Sequence, residues 1–237
     1  IYRMLGLKRK ISVEQLGEWQ ELIYDSCSMC GRCSLSCPMG IDIATLVGQA
    51  TGRHVDTIYG TVDGNTVVLD TGFSVDSFYG IPYARPPVGD LRFANPQTPI
   101  PWTGVLDATV LPNACMQNVV SLLWYTHPGW KKFSEDCLYV NIYTPSDQTD
   151  APFPVMVWFH GGAFTGGANI QYPGHFLANH NVVVVTVNYR LGSFGFLSTP
   201  DGTVKGNAGL FDQAMSLRFV RDNIAAFGGD PNNVLIF

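Results

Sequence analysis

The chain has 237 residues, 46% of them hydrophobic and 12% aromatic, enough to bury the core of one large domain or two smaller ones. Its formal charge is −5 and its basic cluster is only Lys8, Arg9 and Lys10, which argues against a nucleic-acid partner. Apolar runs such as Val182 to Val187 fall far short of the about 18 residues that a spanning helix takes, so no transmembrane segment is expected.

Residue 1 is Ile, and no apolar stretch with a small-residue cleavage site follows it, so neither an initiator Met nor a secretory signal is expected and both ends read as cut. Ser12 and Gln15 make a capping box, and Leu16, Trp19 and Ile23 share one face of a short helix that leads into a cysteine-rich loop. From Thr51 the pattern turns to β. Thr57 to Val62, an Asp63-Gly64-Asn65 turn, Thr66 to Leu69 and then Ser74 to Tyr79 predict an antiparallel meander. Pro82, Pro86, Pro87, Pro96, Pro99 and Pro101 predict a long irregular connection, and a second loop spans Cys115 to Cys137.

Leu138 to Tyr143, Val155 to Phe159 and Val182 to Val187 follow as strands, the last two apolar enough to be buried on both faces. Leu210, Ala214, Leu217, Phe219, Val220, Ile224 and Phe227 fall on one broad side of a helix ended by Gly228-Gly229, after which Val234 to Phe237 begins another strand. Strand, helix, strand is the α/β pattern.

Two chemistries stand out. Cys27-x2-Cys30-x2-Cys33-x3-Cys37-Pro38 has the spacing of a bacterial ferredoxin run, in which thiolates hold a [4Fe–4S] cluster. A zinc site or a chance cluster of thiols remains as an alternative, and the single run leaves Cys37 without a partner motif. The stretch from about residue 10 to residue 50 resembles iron–sulfur subunits of multi-subunit oxidoreductases, which implies a redox partner and a reducing compartment.

The second chemistry is at His160-Gly161-Gly162-Ala163-Phe164. A buried strand running into glycines is a way to present backbone N–H groups to a reacting carbonyl, although a glycine pair alone is more often just a turn. No G-x-S-x-G is present: Gly72-Phe73-Ser74-Val75-Asp76 lacks the second glycine, and Gly192-Ser193-Phe194-Gly195 has the wrong spacing. His160 precedes the loop and reads as its support rather than as a base.

Phe78 to Ala84, Pro86 to Phe93, Pro101-Trp102-Thr103-Gly104, Glu135 to Asn141, Asn188 to Gly192 and Gly228-Gly229-Asp230-Pro231 together resemble the type-B carboxylesterase and cholinesterase family. The likeness runs in order from about Thr51 to Phe237 and corresponds to the first part of that family's domain. It implies a partial α/β-hydrolase fold over 51–237, a truncated central sheet with N-terminal antiparallel strands, behind a separate segment 1–50. It also implies hydrolysis of small carboxylic esters through an acyl-enzyme, with oxyanion donors at Gly162 and Ala163.

By the same likeness Cys115 and Cys137 form a disulfide, and Arg92 pairs with Glu135 and Arg190 with Asp212 as structural ion pairs. Trp124 and Trp130 do not match the tryptophan of choline-binding members, so a general carboxylesterase is expected. The triad would lie past Phe237, so the 237 residues by themselves are expected to be inactive. An esterase-like binding or adhesion module is the alternative. A disulfide suits the secretory route or the endoplasmic-reticulum lumen, whereas an iron–sulfur cluster is assembled in reducing surroundings, so the two segments make opposed demands.

Overall fold

The structure is a computed structural model and describes residues 53–117 and 133–237. Its strands are β1 (Arg53–Thr57), β2 (Gly60–Val68), β3 (Ser74–Pro82), β4 (Val105–Asp107), β5 (Ala114–Cys115), β6 (Phe133–Ser134), β7 (Tyr139–Pro145), β8 (Phe153–Phe159), β9 (Val183–Val187) and β10 (Gly229–Ile236). Its α-helices are α1 (His175–Ala178), α2 (Gly192–Phe196) and α3 (Ala208–Asn223), the last continued by a 3-10 turn at Ile224–Phe227.

Among the described residues one sheet of eight strands runs β1-β2-β3-β7-β9-β8-β10, with β4 beside β2, and β5 and β6 form a separate short pair. Pairing is antiparallel from β1 to β9 and parallel from β9 through β8 to β10, while β4 lies parallel to β2. The connection from β8 to β9 carries the glycine loop and α1. The connection from β9 to β10 carries α2 and α3 and passes over β8. This is a partial α/β-hydrolase-like fold with a curled sheet and few helices.

The first hairpin differs from the expected one. Its turn falls at Ile58-Tyr59, where the Thr57 hydroxyl accepts from the N–H groups of Tyr59 (3.1 Å) and Gly60 (3.2 Å). Asp63-Gly64-Asn65 lies inside β2 instead of forming a turn. The first half of β2 pairs with β1 and β4 and its second half with β3, and Gly64 sits beside this exchange. A Cβ on Gly64 would stand 2.5 Å from the Phe78 ring, so the glycine answers to close packing rather than to a turn.

All five residues of β9 are buried, which fits its unbroken Val-Val-Val-Thr-Val run. In β8 only Phe153, Val155 and Val157 are buried, Pro154 is exposed, and Met156, Trp158 and Phe159 are half-buried. Among the described residues one face of β8 is thus partly open, contrary to the two-sided burial expected for it.

α3 differs in a similar way. Phe219, Val220, Ile224 and Phe227 are buried as expected, but Leu210 and Ala214 are exposed, and their places on the inner face go to Gly209, Asp212 and Ser216. The first half of the helix lies against Arg190, which needs a carboxylate partner and room for its backbone: a Cβ on Gly209 would stand 2.5 Å from the Arg190 carbonyl. The second half is held by apolar contacts, including an edge-to-face pair of Phe78 and Phe227 at 5.0 Å. Burial of each such ring stabilises by roughly 1.5–3 kcal/mol. Gly228, at φ 81°, ends the turn, and its carbonyl accepts from Phe153 N–H at 2.8 Å, seating the start of β8.

Candidate active site: the glycine loop after β8

β8 carries the chain out of the sheet into a loop whose residues Gly161 to Thr165 are exposed. Gly162 has φ 119°, Ala163 54° and Phe164 60°, so three successive residues take left-handed backbone. The N–H groups of Thr165 (2.9 Å) and Gly166 (3.2 Å) both donate to the Gly162 carbonyl and fold the loop back on itself. A Cβ on Gly162 would stand 1.9 Å from the Gly166 carbonyl oxygen, which only glycine avoids. The N–H groups of Gly161, Gly162 and Ala163 donate to no partner among the described residues. Gly161 and Gly162 line a cleft of about 350 Å³ with Thr165, Gly166, Gly167, Gln171 and Tyr172.

The base of the loop is held from three sides. His160 is buried, its Nδ1 lies 2.9 Å from the Gly161 carbonyl, and its own carbonyl accepts from the Tyr189 hydroxyl at 2.6 Å. The two rings stack at 4.6 Å. Burial pulls the His160 imidazole down to about 4, so near neutrality it is uncharged, and contact with a carbonyl places its proton on Nδ1. Such a ring orients the loop and is a poor general base. On the far side Gly192 N–H donates to the Phe164 carbonyl at 2.7 Å, and the Phe164 ring meets Phe196 at 4.8 Å. From below, the Gln117 amide bonds Gly167.

Cys115 and Cys137 form a disulfide with Cα atoms 5.0 Å apart, two residues before Gln117 on one side and two residues after Glu135 on the other. Glu135 accepts from Arg92, with Nη2 to Oε1 at 2.9 Å, in a partly exposed pair. Arg190 is buried and makes a fork onto Asp212 through Nε (2.8 Å) and Nη2 (2.7 Å), while its backbone N–H reaches the same carboxylate at 3.1 Å. Its Nη1 donates to the Arg92 carbonyl at 3.0 Å, which links the two ion pairs. Burial pushes Asp212 upward against the opposing pull of Arg190, so the pair serves to fix position more than to stabilise.

Gly162, Ala163, the disulfide and the four ion-pair residues thus lie in or beside one loop system. The Cys27, Cys30, Cys33 and Cys37 cluster, Trp124 and Trp130 lie outside the described residues. Ser74 begins β3 after a turn and Ser193 lies in α2, so neither stands on a strand-to-helix elbow. Among the described residues no group of three or more His, Cys, Asp or Glu is placed to hold a metal ion, and no helix is long and apolar enough to cross a membrane. Sequence reasoning missed Tyr189, Gln117 and Gly167. The pair Gly166-Gly167, five positions after Gly161-Gly162, was a readable signal for the loop's return, whereas Gln117 had none.

The mixed sheet, with a parallel strand that ends in an exposed loop whose amides have no partner among the described residues, is that of a partial α/β-hydrolase-like fold. The model of the carboxylesterase family matches residues 51–237, and the chain belongs to that family. It is 48% identical over 191 residues to acylcarnitine hydrolase of Mus musculus and 50% identical over 194 residues to liver carboxylesterase 1 of Oryctolagus cuniculus. Each match takes in 77% of this chain and 34% of the relative, so the chain spans about a third of the length of the curated relatives it matches. A solved PNB esterase superposes with a TM-score of 0.72 at 46% identity, over 78% of this chain and 38% of that one.

Proposed function

We propose that this chain supplies the oxyanion-stabilising part of a serine carboxylic ester hydrolase. The observation that carries the reading is the set of N–H groups at Gly162 and Ala163 without a partner among the described residues, on an exposed loop that leaves β8 through the buried His160. When a serine hydroxyl attacks an ester carbonyl, its proton passes to a base and negative charge gathers on the former carbonyl oxygen. Fixed N–H donors lower the energy of that state and need no reorganisation to do so. His160 is held neutral and turned onto Gly161, so the base comes from elsewhere. The 237 residues hold no G-x-S-x-G, so by themselves they are expected to form no acyl-enzyme.

Small carboxylic esters are the proposed substrate class, and the disulfide supports folding in an oxidising compartment, the secretory route or the endoplasmic-reticulum lumen. The test is aryl acetate hydrolysis by a polypeptide that carries these residues together with a G-x-S-x-G segment. Hydrolysis with a burst of acyl-enzyme supports the reading; a folded polypeptide with neither burst nor turnover contradicts it.

A second reading concerns residues 1–50 only. Four thiolates at Cys27, Cys30, Cys33 and Cys37 fit a [4Fe–4S] cluster by donor type and spacing, and such a cluster would supply one-electron transfer to a redox partner. Anaerobic reconstitution followed by absorbance and electron paramagnetic resonance tests it, and a colourless, iron-free product contradicts it.

A further inference from the structure

We propose that Gln117 is a positioning residue for the oxyanion loop, a clamp that fixes the return of the chain behind Gly162 and Ala163. The proposal rests on the oxyanion reading of that loop for its functional meaning. Gln117 Nε2 donates to the Gly167 carbonyl at 2.8 Å, and Gly167 N–H donates to Gln117 Oε1 at 2.9 Å. Its amide therefore engages both polar groups of one backbone residue, as a neighbouring strand would. Nε2 also reaches the Cys115 carbonyl at 3.1 Å, so the clamp is anchored beside the disulfide.

The clamped residue leaves no slack. Gly167 has φ 124°, and a Cβ there would stand 2.3 Å from His160 Nδ1 and 2.8 Å from the Gly161 carbonyl oxygen. Its backbone therefore lies against the residues that open the loop, and Gly166 just before it donates to the Gly162 carbonyl. Displacing Gly167 shifts Gly166 and with it the peptide that carries the Ala163 N–H. Only an amide of this length serves: glutamate keeps the acceptor but loses the donor, and asparagine is one methylene short.

The clamp is tested on the full 237-residue chain by amide hydrogen exchange, read by NMR with labelled glycine and valine, in Gln117→Leu and Gln117→Glu. The decisive amide is Gly166, whose bond to Gly162 the Gln117 side chain does not touch. Both variants are expected to speed its exchange by about tenfold or more, as local opening does, while Val184 and Val185 in β9 stay within about twofold. Gly166 exchange that stays at the parent rate, or that rises only in step with β9, overturns the proposal. Because this reading requires no turnover, it separates from the oxyanion proposal. A loosened loop in a polypeptide whose ester hydrolysis never involved Gly162 leaves the clamp standing and removes its catalytic consequence.

Discussion

Tyr189 and His160 are joined twice: the tyrosine hydroxyl donates to the histidine carbonyl at 2.6 Å, and the two rings stack at 4.6 Å. A residue just past β9 thereby holds the residue just past β8, and the loop leaves the sheet from a fixed point. Removing the hydroxyl in Tyr189→Phe is expected to cost about 1 kcal/mol in denaturant unfolding, the usual worth of a buried hydrogen bond, with the stack retained. An unchanged unfolding midpoint would show that the hydroxyl bears no weight.

Acid is expected to destabilise the chain between about pH 6.5 and about pH 4. Burial pulls both His160 and His175 down to about 4 from an ordinary value of 6.5, and His175 stands against Ser77 Oγ at 3.0 Å. In that window the unfolded chain takes up protons that the folded chain refuses, so the stability these groups contribute is complete above pH 6.5 and is lost as pH falls towards 4. His160→Asn, which keeps an N–H near the Nδ1 position, is expected to flatten part of the slope. Denaturant midpoints measured from pH 7 to pH 4 give the comparison, and a slope identical to the parent's would remove His160 from the account.

Gly162→Ala is expected to abolish the loop conformation. The added methyl meets the Gly166 carbonyl oxygen at 1.9 Å, and φ of 119° is strained for any side chain. In a polypeptide with the nucleophile, kcat should fall by about 10²–10³, the cost of losing an oxyanion donor, with KM little changed. Ala163→Gly, at φ 54°, should be nearly silent in the same assay because the N–H is retained.

The two ion pairs should behave differently. Asp212→Asn or Arg190→Leu leaves a buried group without its partner and is expected to cost about 3–5 kcal/mol, while a double replacement by apolar residues recovers part of the loss. Arg92→Leu breaks a half-exposed, solvent-screened pair and is expected to cost much less than either buried replacement. Equal costs by chemical denaturation would contradict the distinction.

Opening the disulfide should loosen the clamp along with the chain. Cys115 and Cys137 are 22 residues apart, and closing a loop of that size is worth about 3 kcal/mol on the chain-entropy account. Cys115→Ser with Cys137→Ser is expected to lower stability by that order and to raise exchange at Gly167, because the Cys115 carbonyl that anchors Gln117 is no longer tied to Cys137.

Much of this was legible because apolar runs report burial directly: the all-buried β9 and the inward Phe219, Val220, Ile224 and Phe227 follow from pattern. Glycine was less transparent, because one residue type serves two ends. Asp63-Gly64-Asn65 has the composition of a turn, yet Gly64 serves close packing against Phe78, whereas Gly228 is a helix stop as its place suggests. The first half of α3 could not be read from apolar spacing, since its inner face is set by Arg190, a residue on another segment. The loop's amides were legible from the strand-then-glycine pattern, but Gln117 was not, because a bond to a residue 50 positions away leaves no local trace.

The oxyanion role of Gly162 and Ala163 is decided by the structure of an organophosphonate adduct on a polypeptide that carries these residues with a G-x-S-x-G serine. The phosphonyl oxygen is expected at about 2.7–3.1 Å from the backbone nitrogens of both Gly162 and Ala163. An adduct whose oxygen is held by other donors, with those two amides turned away, would contradict it.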